Sequence, residues 1–190
     1  MKALEQKILK EGRVMPGNIL NVGSFLNQQI DASFLTQMGV EISRLYEGCG
    51  VNKILTIEAS GIAVAVAAGA VMGVPVVFAK KHRSGNVSGA VHKVVIHSYT
   101  HGNDYEAVVP AEFLGKGDKV LLVDDFLANG AALRGLASLV KSSGAELVGA
   151  AVAIEKGFQR GGDDLRAEGV RVESLAIIDS FSDGTVVFRN

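Results

Sequence analysis

VLLVDDFLANGAA, residues 120–132, carries four apolar residues into two adjacent acids and then into a run of small residues. A near-continuous Val/Leu run reads as a strand covered on both faces, as in a parallel sheet. Asn129-Gly130-Ala131-Ala132 reads as the start of the helix that follows. The first amides of a helix lack a carbonyl within it, and with the helix dipole they favour an anion such as phosphate. The Gly-x4-Gly-Lys-Ser/Thr spacing of a nucleotide triphosphate loop is absent, and no lysine enters the turn. Asp124 and Asp125 would repel a phosphate that they faced, but carboxylates accept hydrogen bonds from the vicinal hydroxyls of a sugar. The stretch therefore suits a sugar phosphate: acids for the ring hydroxyls, amides for the ester. In an open α/β sheet such a site lies beyond the carboxyl ends of the strands, where this turn falls.

Working outward, VNKILTIEAS (51–60), VPVVFAKK (74–81) and LVGAAVAIEK (147–156) read as three more buried strands. Helical segments follow the first (GIAVAVAAGAVMG) and the strand at 119–125 (NGAALRGLASLVKSSGA, closed by Gly144). The alternation predicts an α/β fold with a mainly parallel sheet flanked by helices. Residues 82–110 break it with period-two alternation around Ser84-Gly85 and Gly102-Asn103, which predicts an antiparallel hairpin, the kind of excursion that serves as a mobile lid. At the chain ends stand an N-terminal helical stretch, then SFLNQQID (24–31), and a final pair, VRVESLAII and TVVFRN, joined through the hairpin signal Asp183-Gly184. One core is expected over residues 1–190.

Composition excludes several classes. Of 190 residues 48% are hydrophobic and 21% charged, and no run is long enough to span a bilayer. MKALEQKILKEGRV lacks the apolar core of a signal peptide, so a cytoplasmic protein is expected. Lys and Arg number 19 against 20 Asp and Glu, with no basic cluster of the kind that binds nucleic acid. Cys49 is the sole cysteine, so no internal disulfide forms, and we expect it buried as a small apolar residue. There are 23 glycines, a frequency above the typical ~7%, which signals tight turns and close backbone approaches.

Three further groups invite a functional reading. Glu58-Ala59-Ser60-Gly61 ends one strand and opens a small-residue helix, with Ser60 as an ordinary N-cap being the plainer alternative. Lys80, Lys81, His82 and Arg83 close the next strand, where cations would neutralise a diphosphate or simply be solvated. His92, His97 and His101 do not share one strand face, which argues against a metal set.

The stretch at 120–132 resembles the motif of the type I phosphoribosyltransferases, whose common substrate is 5-phospho-α-D-ribose 1-diphosphate (PRPP). The resemblance implies that Asp124 and Asp125 hold the ribose 2- and 3-hydroxyls and are the catalytic pair, that Ala128, Asn129, Gly130, Ala131 and Ala132 take the 5-phosphate, and that Glu58, Ala59, Ser60 and Gly61 form the diphosphate loop. Asn129 stands where Thr is commoner. The fold so implied is that family's, with the hairpin as a flexible lid over which Ser98-Tyr99 would cover the diphosphate, and with a small base-binding hood from the chain ends, about residues 1–35 and 156–190. Mg2+ would be held through PRPP and by no protein side chain, and a homodimer is implied.

The acceptor base is read from the ends. Asn21 to Asp31 and Ile154 to Gln159 resemble the base-side segments of the bacterial members of this family that act on xanthine. That likeness covers the whole chain and implies that Leu20, Asn27 and Lys156 contact the purine, with xanthosine 5'-monophosphate (XMP) and diphosphate as products of purine salvage. A lysine donor suits a purine oxo group and disfavours adenine, whose exocyclic amine also donates. Phe158 would stack on a ring or belong to the core. The alternatives are a hypoxanthine/guanine enzyme, or a non-catalytic PRPP-sensing purine regulator; the latter needs a DNA-binding segment for which residues 1–20 are too few.

Overall fold

The computed structural model describes residues 1–81, 89–98, 103–182 and 184–189. Its centre is a six-stranded sheet of β3 (Lys53–Ile57), β4 (Val76–Ala79), β7 (Lys119–Leu127), β8 (Glu146–Lys156), β9 (Val172–Ser182) and β10 (Thr185–Phe188), in the order β10-β9-β8-β7-β3-β4. All neighbours pair in parallel except β9 and β10, which form the terminal hairpin. The four strands expected from sequence are thus the middle and one edge of the sheet. VRVESLAII, expected only as a hairpin arm, also serves as its fifth parallel strand.

The apolar run of β7 shows why the strand must be apolar throughout. Val120 and Leu122 point into one layer, with Leu133, Leu136, Leu139 and Val140 of α4 (Ala131–Ser143). Leu121 and Val123 point into the other, with Met38 and Ile42 of α2 (Ala32–Leu45) and Val64, Ala65 and Ala68 of α3 (Gly61–Met72). Successive side chains alternate faces, and both faces are covered. Each layer is closed by local signals. Gly73 and Gly144 end α3 and α4 in left-handed conformation, as a residue without Cβ allows. α2, unmarked in the sequence reading, starts at Asp31, whose carboxylate accepts the Phe34 N–H at 3.0 Å and the Lys7 ammonium of α1 (Lys2–Glu11) at 2.9 Å.

Two smaller pieces flank the open ends of the strands. β1 (Arg13–Met15) and β2 (Ile19–Asn21) form a short antiparallel hairpin whose tip, Gly17 and Asn18, has positive φ. β5 (Val91–Ser98) and β6 (Asn103–Pro110) form the antiparallel hairpin expected between the parallel strands; its Ile96 enters the α4 layer, and Lys80 and Val108 exchange backbone hydrogen bonds of 3.0 and 2.8 Å at its root beside β4. Ser84-Gly85, Gly102 and Asp183, and with them His82, Arg83, Tyr99 and His101, lie outside the described residues. Cys49 departs from expectation. It is half-buried, in the glycine-turned loop after α2, and its Sγ accepts from Arg171 at 3.3 Å. Among the described residues no helix is long and apolar enough to cross a membrane.

Tyr46 ties the α2 end to the sheet: its ring is buried in the core and its hydroxyl donates to the Ala150 carbonyl at 2.8 Å. Tyr46→Phe keeps the packing and removes one hydrogen bond. We expect a loss of about 1 kcal/mol, read as a fall of roughly 2–4 °C in Tm. A Tm equal to wild type would show that the bond contributes nothing net.

Candidate active site

The carboxyl ends of β3, β7 and β8 open into one cleft of ≈ 580 Å³. Into it the structure brings Asp124, Asp125, the turn Ala128–Ala132, the loop Glu58–Gly61, Lys81 and Lys156. Because the two acids leave β7 on opposite faces, they meet different neighbours. Asp125 turns to the N-terminal segment and accepts from Asn27 Nδ2 at 3.4 Å. Asp124 lies toward the β5–β6 side, where Tyr105 feels its charge and Lys81 stabilises its ionised form. Its Oδ1 accepts the Asp125 backbone N–H at 3.0 Å.

Both acids are nearly closed off, 7% and 9% exposed. Burial raises the Asp124 pKa well above the usual carboxylate value, and the neighbouring Asp125 charge raises it further. Burial also raises that of Asp125, opposed by its hydrogen bonds with Asp124 and Asn27. Two desolvated acceptors in a cleft are suited to donors from a ligand, and a pair of sugar hydroxyls supplies them.

The turn after β7 leads directly into the start of α4. Gly130 takes a left-handed φ of +85° ahead of α4, and the Arg134 N–H is the first to be taken within the helix, by the Gly130 carbonyl at 2.9 Å. The Ala131 N–H is capped by Asn129 Oδ1 at 3.0 Å, so Asn129 does locally what an N-cap does. The carbonyls that would otherwise face the next two amides are engaged elsewhere: Ala128 O accepts from Gly161 N at 3.2 Å and Asn129 O from Arg134 Nη1 at 2.9 Å. Among the described residues the Ala132 and Leu133 amides donate to no carbonyl, as is usual in the first turn of a helix.

The β3 loop is latched to β4. Glu58 Oε1 accepts the Lys81 N–H at 2.6 Å, and the Glu58 N–H donates to Ala79 O at 3.1 Å. The Glu58–Ala59 peptide is cis. Ser60 makes no side-chain cap on α3, so the plain N-cap reading does not describe it. At Gly61 a Cβ would stand 2.5 Å from Asp124 Oδ1, so only glycine lets this loop close on the acid.

On the base side Lys156 is half-buried at the end of β8, and its ammonium donates to the Asn18 carbonyl at 3.3 Å and lies 6.0 Å from the centre of the Phe126 ring. Burial lowers its pKa. Asn27 reaches the cleft only through Asp125. Leu20 lies in the core at 6% exposure and does not line the cleft, whereas its neighbour Ile19 does. Phe158 packs edge-on against Phe181, ring centres 5.4 Å apart, the core alternative for that residue. Gly17, Asn18 and Gln159 line the cleft without having been singled out from the sequence; Pro16-Gly17-Asn18 carries the composition of a hairpin turn, which is the signal that marks the first two. His92 faces the Leu114 carbonyl at 3.0 Å and His97 pairs with Asp104 across the hairpin.

A parallel α/β sheet that brings two buried acids and the amides of a helix start to one strand end has the acceptors and donors that a sugar phosphate would match. The chain belongs to the phosphoribosyl transferase family: the model of the phosphoribosyl transferase domain matches residues 40–183. Over its whole length the chain is 53% identical to xanthine phosphoribosyltransferase 1 of Clostridium perfringens and 49% identical to xanthine phosphoribosyltransferase 2 of Clostridium botulinum, covering 100% of each. Among solved structures, the adenine phosphoribosyl transferase of Trypanosoma brucei, in complex with AMP, pyrophosphate and ribose-5-phosphate, matches with a TM-score of 0.77 at 19% identity, over 96% of this chain and 82% of that one. This supports the type I phosphoribosyltransferase fold.

The buried acids yield a stability prediction. A carboxyl whose pKa is raised by folding contributes stability at low pH, and that contribution is lost as pH rises through the folded-state pKa. Asp124→Asn removes the charge, so the ligand-free variant is expected to melt above wild type at pH 8, by on the order of 2–4 °C per kcal/mol relieved, with the gain vanishing toward pH 4. Thermal melts across that range check it, and a variant less stable at pH 8 would contradict the raised pKa.

Proposed function

We propose that this chain transfers the 5-phosphoribosyl group from PRPP to xanthine, giving XMP and diphosphate, as a cytoplasmic homodimer. The observation that carries the reading is the placement of Lys156, a desolvated ammonium in the same cleft as the paired acids, in a chain about half identical end to end with proteins named for xanthine. Lys156 donates to a purine oxo group, and Asn27 and Leu20 hold the N-terminal segment against that side. The chain ends form the hood around the base, and the β5–β6 hairpin is the lid. Val66 and Val71 on α3 and Phe78 on the edge strand β4 are exposed apolar side chains that a second copy could cover.

Asp124 and Asp125 accept the ribose 2- and 3-hydroxyls, the amides of Ala128 to Ala132 hold the 5-phosphate, and Glu58 to Gly61 hold the diphosphate, with Lys81 adding positive charge. As the bond to diphosphate breaks, the anomeric carbon becomes cationic and oxocarbenium-like; the two fixed carboxyls then stabilise the ribose, and the loop amides stabilise the leaving group. The buried acids are placed for hydroxyl donors, so the ion is taken to arrive with its substrate. When bound with PRPP, Mg2+ would supply positive charge against the diphosphate.

The N–H of the incoming base must lose its proton. Some hypoxanthine/guanine enzymes place an aspartate at the position of Ala128, which offers no base. Xanthine is more acidic than guanine or hypoxanthine and enters partly as its anion, which removes that need. The rate at limiting xanthine is therefore expected to rise with pH through the titration of free xanthine; a flat profile there would mean that a protein base exists.

The decisive assay compares initial rates on xanthine, guanine and hypoxanthine with PRPP and Mg2+, with xanthine expected fastest. Asp125→Asn, which weakens a charge-assisted hydrogen bond of roughly 1.5–3 kcal/mol, is expected to raise the KM for PRPP or lower kcat by about ten- to a hundredfold. Lys156→Ala is expected to impair xanthine use far more than PRPP binding, and equal losses would assign Lys156 a structural role.

A further inference from the structure

One buried charge lies outside the machinery described so far. Glu155, fully closed to solvent, precedes Lys156 on β8 and pairs in register with Leu127, the residue before the phosphate turn. Arg166 of α5 (Gly161–Ala167) grips its carboxylate with two hydrogen bonds, Nη1 to Oε1 at 3.0 Å and Nη2 to Oε2 at 2.7 Å, and Ser174 Oγ donates to Oε2 from β9. Arg166 Nε also donates to Val172 O at 3.1 Å, so the fork is fixed in its plane.

The other end of α5 touches both substrate regions. At Gly162 a Cβ would stand 2.1 Å from Glu155 Oε1, so the helix start is pressed directly on the carboxylate. At Gly161 a Cβ would stand 2.3 Å from the Ala128 carbonyl, to which the Gly161 N–H donates at 3.2 Å. That carbonyl opens the turn at Ala128–Ala132. A continuous contact path therefore runs from the Glu155 carboxylate through Gly162 and Gly161 to this turn, and Glu155 is joined to Lys156 by the β8 backbone, their side chains leaving on opposite faces of the strand. Glu155, Gly162 and Gly161 need touch no ligand.

Taking the base and phosphate assignments above as its premise, we propose that Glu155, clamped by Arg166 and Ser174 and pressed by Gly162, is a positioning residue that couples the purine side of the cleft to the 5-phosphate turn. A phosphate that fixes the Ala128–Ala132 turn fixes Gly161, and through Gly162 and Glu155 the end of β8 from which Lys156 projects, so the base then finds its ammonium already placed. Reciprocity requires the same factor in the other direction.

The test is calorimetric. The dissociation constant of the purine that the wild type turns over fastest is measured alone and with saturating ribose 5-phosphate and Mg2+. The expected wild-type result is at least about fivefold tighter purine binding with the sugar phosphate present. In Glu155→Gln and Gly162→Ala the ratio is expected to fall toward one. Ser174→Ala removes one donor and keeps the ion pair, so it serves where Glu155→Gln melts below the assay temperature, and its ratio is expected to fall partway. A residue that only stabilises the fold would lower Tm and leave the ratio unchanged. A wild-type ratio of one, or wild-type ratios in folded variants, overturns the coupling while the base assignment stands. A preference for guanine or hypoxanthine corrects the base assignment and leaves the coupling test intact.

Discussion

Two carboxylates that water would otherwise solvate are held nearly closed off at the end of a strand buried on both faces, and much of the cleft is a response to that constraint. β7 must be apolar up to Val123 because helices cover both of its sides, so the first polar positions fall where the sheet ends. Neighbouring charges raise each other's protonation energy. The fold eases this only in part, with the amide of Asn27 for one acid and the charge of Lys81 for the other. What it withholds is the full set of donors that water would give. The same shortage that destabilises the ligand-free pair makes two adjacent hydroxyls attractive, so binding strength is stored as an unsatisfied demand in the folded protein.

The phosphate turn follows the same logic with the sign reversed. Its carbonyls at Ala128 and Asn129 accept from Gly161 and Arg134, while among the described residues the Ala132 and Leu133 amides donate to no carbonyl. Acids with few donors and amides without acceptors thus stand one turn apart, and a ribose phosphate would match both. Arg134 is itself braced by Glu168 at 2.9 Å, which keeps its cation turned from the cleft and at work as a strut for the loop.

This half of the site was legible in sequence because it is local. Apolar run, acids, Asn-Gly-Ala-Ala and helix are contiguous, so their order in the chain is their order in space. The strands at 51–60, 74–81 and 147–156 were legible for the same reason, each being a continuous apolar run. Contacts between distant segments left weaker traces. Nothing near Asn18 announces that its carbonyl receives the Lys156 ammonium 138 positions away, and Leu20, drawn from likeness alone, lies in the core while Ile19 meets the cleft. α2 was passed over because its start depends on Asp31, a single cap residue within a polar stretch. Cys49 was misplaced because composition speaks to average burial and not to a loop turned outward by Gly48 and Gly50.

The two halves also differ in what they demand of the rest of the chain. The matched family region, 40–183, contains Asp124 and Asp125, the Ala128–Ala132 turn, the Glu58–Gly61 loop and Lys156, but not the β1–β2 hairpin or Asn27. On the proposed reading the sugar phosphate would be held by the shared sheet alone, and the base by Lys156 of that sheet together with the N-terminal pieces laid over its end. A lysine placed there carries a desolvation penalty that lowers its pKa, and in the ligand-free cleft one backbone carbonyl partly offsets it. An acceptor oxygen on a base relieves the penalty, and an anionic base relieves it more; an amine in the same place would leave two donors facing each other. On the proposed reading, discrimination against adenine would follow from the mismatch of two facing donors.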